Sequence, residues 1–490
     1  MSGHPHESFS TLHGPLDWWA RQRPEVVALR NEHTALSFAQ LHQRVHSRRA
    51  AIDSQNLPET VLLPTTMGVL DTLIEFLAVI ASGRCAALGD PAWPSHILAE
   101  VAASIAGLPQ PAHLRAAAAI PPALAPCYIG FTSGSTGQPK GFRRNHLSWT
   151  ESFRASVTDF GACATGPVAA PGRLSHSLFL FGAMMGLWTG AGAVVQERFS
   201  ASATLASLAQ GQACVLLAVP SQLLLMLDTA QRQGHPPIAS TTLILISGAR
   251  WMREQTPRLH TLFPNARLIE FYGASETSYV AWREADGAND SQVVGQPFSN
   301  VELRIGDWPV GTPCATGTAG RIWVRSPMLF MDYVHTQDPT AAIRHHDWLS
   351  VRDMGWLDAQ GQLYLCGREN RMLVTQGKNF FPEEVESCLL THGEVGHASV
   401  LGLPDRLRGY RIHAVVQLKE GAHPVPKTAL THLCRHALEP YKTPRRWWLW
   451  HGPWPLTRNG KTDHAAIAQT LASLVGSPDS WTQEGITPWH

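Results

Sequence analysis

The chain has 490 residues, roughly three domain-sized units at about 150 residues each. Hydrophobic residues make up 44% and charged residues 16%, which supports a large buried core and excludes global disorder. Basic and acidic residues balance at 39 to 38, a net charge of +1, so no general field holds nucleic acid or an anionic membrane, and any anion must be bound locally.

Eight cysteines are spread along the chain without a CxxC or CxxxxC pair. That is too sparse for a disulfide scaffold, and reduced thiols in a cytoplasmic location are expected. The first residues, MSGHPHESFS, lack a basic segment followed by an apolar run, so no signal peptide is read.

Elements in chain order point to an α/β protein. Residues 35–53 read as a short strand followed by an amphipathic helix. Residues 61–91 read as strand, helix and a second apolar segment. Residues 177–196 carry no charge and are long enough to span a bilayer. Glycines interrupt them and His176 precedes them, so the expectation is a buried helix and no membrane span. Apolar strands are expected around 213–220, 243–247 and 268–272. Strands alternating with helices imply parallel sheets covered on both faces. Residues 300–334, richer in Gly, Thr and Val, read as antiparallel β structure. Past a Gly-Arg turn at 367–368, a helix at 383–391, strands at 397–403 and 412–418 and a helix at 427–438 make a compact C-terminal unit. From about 474 the tail is polar.

Six of the 39 basic residues are Lys: Lys140, Lys378, Lys419, Lys427, Lys442 and Lys461. Arg serves elsewhere, so each Lys is a candidate for a site needing a compact ammonium, and Lys140 and Lys461 both lie in Gly-containing motifs. The strongest local signal is YIGFTSGSTGQPKG, residues 128–141. An apolar strand enters Thr132, Ser133, Gly134, Ser135, Thr136 and Gly137, then reaches Lys140. Glycines let backbone N–H groups turn around an anion, hydroxyls add donors, and the Lys adds charge. The spacing is not that of a Walker A loop, and an ordinary Ser/Gly-rich surface loop is the competing reading.

This motif resembles the phosphate loop of the adenylate-forming superfamily, which includes acyl- and aryl-CoA synthetases and peptide-synthetase adenylation domains. Four further segments match in order: EFYGASET (270–277), SVRDMGWLDAQGQLYLCGR around Asp353, GRENRMLVTQGKNFFPEEVE (367–386) and PLTRNGKTD (455–463). The resemblance spans about residues 15–470. It implies a large N-terminal domain of stacked, mostly parallel sheets with helices plus a β subdomain, residues 1–368. A small mobile α+β domain, 369–473, and a tail, 474–490, follow.

By this resemblance ATP is held by Thr132 to Gly137, Lys140, Tyr272, Gly273, Ser275, Asp353 and Arg368, with Mg²⁺ on Glu276. Taken alone, Glu276 reads equally as a solvated surface acid, Asp353 as a turn residue, Arg368 as an ion-pair partner and Tyr272 as core packing. Lys461 would stabilise charge developing on the α-phosphate. His176 would flank the substrate carboxylate, with Phe181, Ser247, Gly248 and Ala249 lining the acid pocket; a core role stays open for His176 and Phe181. The stretch 172–188 has no acid to hold an α-ammonium, which favours a fatty or aromatic acid over an amino acid. Arg371 marks the hinge, where relatives often carry Asp. Gln376, Gly377 and Lys378 form the thiol-side loop. Val351-Arg352 replaces the family's Thr-Gly before the ribose Asp.

The implied activity is ATP-dependent formation of an acyl-adenylate with release of pyrophosphate, then transfer to the thiol of CoA. Alternatives are loading of a carrier-protein phosphopantetheine, and an inactive nucleotide-binding regulator.

Overall fold

A computed structural model describes residues 9–106, 108, 120–133, 139–285, 292–307, 312–334, 342–375, 378–405, 409–457, 461–475 and 485–489. The chain divides into two compact units. The first comprises Met1–Asn289, Val294–Arg304 and Trp323–Val351; the second comprises Asp290–Val293, Ile305–Ile322 and Arg352–His490.

In the first unit six parallel strands lie side by side: Arg267–Ala274, Leu243–Ile246, Val215–Ala218, Val168–Ala170, Ala193–Val195 and Val27–Arg30. Antiparallel strands flank them, Ser278–Glu284 at one end and Ala35–Ser37 at the other. The central strands are apolar runs because both faces are covered. On one face Leu205, Leu208, Leu223, Met226 and Leu259 pack against Leu216, Ile244 and Ile246. The helix Phe38–Asp53 lies within the expected 35–53 segment and starts after Ser37 because Ser37 and Gln40 cap one another reciprocally.

The uncharged stretch is the helix Ser177–Thr189, buried along nearly its whole length. Gly190, at φ +74, ends it in a left-handed turn, and the strand Ala193–Val195 follows. At 13 residues it spans about 20 Å, too short for a bilayer. No helix among the described residues is long and apolar enough to cross a membrane.

A second sheet in this unit runs Asp332–Val334, Pro139–Asn145, Pro126–Ser133, Cys85–Leu88, Thr60–Leu63. Its last three strands are parallel, and the first two pairings are antiparallel.

The second unit contains the hairpin Asp353–Leu357/Leu363–Arg368 and a sheet ordered Lys378–Phe380, Leu373–Thr375, Gly409–Leu418, Arg446–Trp450, Ile486–Pro488. The strand Val395–Asp405 also pairs with Gly409–Leu418. Strand alternation sends successive residues to opposite faces. Ala414, Val416 and Trp447 join Val385, Leu389 and Leu430 in one core, while Val415 and Trp448 join Ile467 and Leu471 in another. Helices therefore cover both faces, and the unit is α+β.

Candidate active site

In open parallel sheets ligands bind beyond the carboxyl ends of the strands, and several candidate residues of the first unit lie there. Ser247 follows the Leu243–Ile246 strand and donates its hydroxyl to Phe271 O at 3.2 Å. Gly248, at φ +87, takes a conformation that side chains avoid, and both it and Ala249 are exposed. Tyr272 and Gly273 end the neighbouring strand. A side chain at Gly273 would meet Ser278 O at 1.9 Å, so only glycine lets the Ser278–Glu284 strand fold back this closely. His176 follows the Val168–Ala170 strand by a few residues and packs its ring on Phe179 at 5.3 Å. Phe181 lies within an aromatic cluster, 5.0 Å from Phe153 and 5.3 Å from Tyr279.

The two strands that carry the phosphate motif pair Thr132 with Lys140 and Ser133 with Pro139. Gly134, Ser135, Thr136 and Gly137 lie outside the described residues. Lys140 places its ammonium 3.8 Å from the centre of the Tyr333 ring. The hydroxyl of Tyr333 donates to Glu276 Oε1 at 2.7 Å. The structure thus brings together Lys140 and Glu276, from motifs far apart in the chain, around a tyrosine outside both.

Arg144 builds the turn that carries Ser275 and Glu276. It is fully buried and donates to Ser278 Oγ at 2.7 Å, Met328 O at 2.6 Å, Ser148 O at 3.1 Å and Ser275 O at 3.5 Å. Burial pushes its guanidinium down to about 10, opposed by the nearby Cys127, Tyr128 and Glu276. Ser278 is held at φ +58, and Phe330 N–H donates to Glu276 O at 2.8 Å. Glu270, the other acid of this segment, is structural. It pairs with Arg283, accepts from Trp251 N–H at 3.0 Å, and burial raises its carboxyl above the usual range.

Neither Arg144 nor Tyr333 is a candidate on sequence grounds. The signal for Arg144 is a charged pair, Arg143-Arg144, in the strand that leaves the phosphate motif. For Tyr333 no local signal exists. As a home for Mg²⁺, this site offers hard oxygens from Glu276 and Ser275. Among the described residues no cluster of three or more His, Cys, Asp or Glu is placed to hold a metal. One protein carboxylate completed by substrate phosphates is an arrangement that suits Mg²⁺.

In the second unit Asp353 and Arg368 are paired across their hairpin, Nε to Oδ1 at 3.2 Å. Arg352 adopts φ +66, in the position where the family pattern has Gly. Its guanidinium reaches Glu369 at 3.2 Å, a carboxylate also held by Arg321 at 2.5 Å. Lys461 is exposed beside the undescribed residues 458–460. Its N–H donates to Thr457 Oγ1 at 3.2 Å and its carbonyl accepts from Thr457 N–H at 2.7 Å. Asp463 then caps the helix His464–Val475 through Ala466 N–H.

Arg371, the expected hinge, ends the short 3-10 turn Glu369–Arg371. Its guanidinium is largely buried against Glu386 at 2.6 Å, Glu383 at 3.1 Å, Val400 O at 3.3 Å and His464 at 3.2 Å. Lys378 is exposed, with its ammonium 5.0 Å from the centre of the Tyr441 ring; Gln376 and Gly377 lie outside the described residues.

Comparison with known proteins places the chain in a family. Residues 102–334 match the family described as AMP-binding enzyme, and residues 384–461 match the AMP-binding enzyme C-terminal domain. The chain is 37% identical over 352 residues to an uncharacterized acyl–CoA ligase, YhfT, of Bacillus subtilis, covering 71% of this chain and 70% of that protein. It is 30% identical over 321 residues to the 2-succinylbenzoate–CoA ligase of Bacillus velezensis, covering 64% of this chain and 63% of that protein. ATP-bound MatB from Rhodopseudomonas palustris superposes with a TM-score of 0.77 at 20% identity, covering 93% of this chain and 98% of that one. The amide bond synthetase McbA from Marinactinospora thermotolerans gives 0.76 at 23% identity, covering 94% and 99%. These two likenesses are of fold. Family match and relatives together define an adenylate-forming enzyme. The chain belongs to the AMP-binding enzyme family, with acyl-CoA ligases among its relatives.

Proposed function

We propose that this enzyme activates a fatty or aromatic carboxylic acid with ATP, releases pyrophosphate, and transfers the acyl group from the adenylate to the thiol of CoA in the cytoplasm. The observation that carries the reading is the convergence of Lys140 and Glu276 on Tyr333, a cation for phosphate beside a carboxylate for Mg²⁺. Thr132 to Gly137 and Lys140 bind the triphosphate, and Ser275 and Glu276 meet the Mg²⁺ that accompanies it. Tyr272 and Gly273 lie along the adenine, and Asp353 with Arg368 takes the ribose.

Lys461 supplies the ammonium that stabilises charge on the phosphoryl oxygens as the carboxylate attacks. His176, Ser247, Gly248 and Ala249 flank the acid. The absence of an acidic residue in 172–188 supports an acid without an α-amine. The C-terminal part, 369–473, turns about the 369–371 segment between the two half-reactions, exchanging Lys461 for the loop of Gln376, Gly377 and Lys378.

Pyrophosphate exchange over a panel of acids tests the first half-reaction. Exchange with fatty or aromatic acids and none with amino acids is expected; exchange with amino acids alone would overturn the substrate class, and none with any acid would favour a nucleotide-binding regulator. Adding CoA or a phosphopantetheinylated carrier protein then identifies the acceptor.

A further inference from the structure

We propose that Tyr333 is a positioning residue of the ATP site: it holds the phosphate-side ammonium on its ring and the metal-side carboxylate on its hydroxyl. This rests on the nucleotide roles of Lys140 and Glu276 given above.

The hydrogen bonds fix the direction of the phenol proton. Tyr333 Oη accepts from Ala342 N–H at 3.2 Å and lies 2.7 Å from Glu276 Oε1. A phenol has one proton, a backbone N–H can only donate, and a carboxylate can only accept. The proton therefore points at Oε1, which fixes the carboxylate's orientation and leaves Oε2 for a cation. The ring face carries the negative end of the aromatic quadrupole, and the Lys140 ammonium sits 3.8 Å from its centre. Tyr333 thus touches both the cation and the acid, setting the position of each.

The tyrosine is itself held in place. Its strand, Asp332–Val334, pairs Tyr333 with Phe142 and Asp332 with Arg143. Arg143 grips Asp332 with two hydrogen bonds of 2.8 and 2.6 Å, and Arg143 is buried. That ion pair locks the register, and a slip of one residue would turn Tyr333 to the other face. Phe330 packs edge-on against the ring at 4.7 Å, while its own N–H holds Glu276 O. Ring, carboxylate and ammonium are thus set by one strand and one turn before nucleotide arrives.

The test uses the full chain with Tyr333→Phe and Tyr333→Leu. Binding of Mn²⁺ in the presence of α,β-methylene-ATP is followed by loss of the free-ion spin-resonance signal, and metal-free nucleotide binding by calorimetry. Tyr333→Phe should weaken metal binding about 10-fold, the usual effect of losing a partner behind a metal ligand. Metal-free nucleotide affinity should stay near the parent's, because the ring remains under Lys140. Tyr333→Leu should show the same metal defect and lose a further two- to fivefold, about the value of an exposed cation–ring contact, in metal-free affinity. In a Glu276→Gln background Tyr333→Phe should add no further metal defect, an outcome that general loosening of the fold would not give. Parental Mn²⁺ binding by Tyr333→Phe, or equal additional losses in both backgrounds, overturns the inference while leaving the ATP site intact. A parent chain that binds no nucleotide overturns the ATP-site reading and this inference with it.

Discussion

Asp353 and Arg368 stand opposite each other across one hairpin, the carboxylate buried and the guanidinium largely exposed, with 3.2 Å between Nε and Oδ1. The pair is asymmetric: the backbone ladder and burial fix the acid, while most of the arginine side chain faces solvent. Exposure of the arginine makes the pair's own contribution to stability small. Asp353→Ala should therefore act mainly on nucleotide. Loss of charged hydrogen bonds to the ribose is worth about 1.5–3 kcal/mol, roughly a 10- to 100-fold rise in the ATP dissociation constant. The KM for the acid should hold steady. Calorimetric titration with ATP checks this, and an unchanged isotherm removes Asp353 from the site.

Lys461 offers a cleaner separation of chemistry from folding. Its backbone closes the turn with Thr457, while its side chain is exposed. Lys461→Ala should leave the melting temperature unchanged and slow adenylate formation by about 10² to 10³, the usual loss for one electrostatic stabiliser. Reaction of a preformed acyl-adenylate with thiol should be far less affected. Equal losses in the two half-reactions would show that Lys461 does not act on the phosphoryl oxygens.

Arg352 permits a test of backbone strain. It holds φ +66, a region that costs a side-chain-bearing residue about 1–2 kcal/mol relative to glycine. Both Arg352→Gly and Arg352→Ala lose the contact with Glu369, so comparing the two isolates the backbone. The glycine variant should be the more stable by about 1 kcal/mol in urea unfolding. Equal stability would mean that the chain relaxes to another conformation on substitution.

The buried His146 and the half-buried His13 beside it set an acid limit on the first unit. His146 accepts Leu12 N–H on Nδ1 at 3.2 Å, and its ring meets that of His13 at 5.4 Å. Burial first, then His13, lowers His146 to about 3; burial first, then Arg49, lowers His13 to about 4. Both are neutral when folded, whereas in the unfolded chain they titrate near 6.5. The unfolded state therefore binds more protons below that pH. Their stabilising contribution is complete above pH 6.5 and is lost as pH falls from 6.5 toward 4 and below. His146→Gln should shrink the fall in melting temperature between pH 7 and pH 5, and an unchanged fall would assign the acid sensitivity elsewhere.

Much of the fold was legible because its central strands are buried on both faces. Apolar runs such as Val215–Ala218 and Leu243–Ile246 cannot be mistaken for solvent-facing segments. The phosphate motif, the EFYGASET segment and the Asp353 and Lys461 regions were legible for a related reason. Each packs glycines, hydroxyls and one charge into a short run whose chemistry is local.

What tertiary structure alone decided are the pairings between distant residues. Tyr333 lies 57 positions from Glu276, and nothing around MDYV announces its role. It reaches the site because one edge strand pairs with the strand that carries Lys140. The buried Arg144 and the cluster of Arg371 with Glu383, Glu386 and His464 are of the same kind. Sequence named Arg371 as a pivot; packing showed that its guanidinium is anchored among acids brought in by a helix and a histidine 93 positions away. Sequence spacing sets which residues a single helix or strand can align, but the partners of a buried charge are chosen by register and by the cost of leaving that charge unpaired.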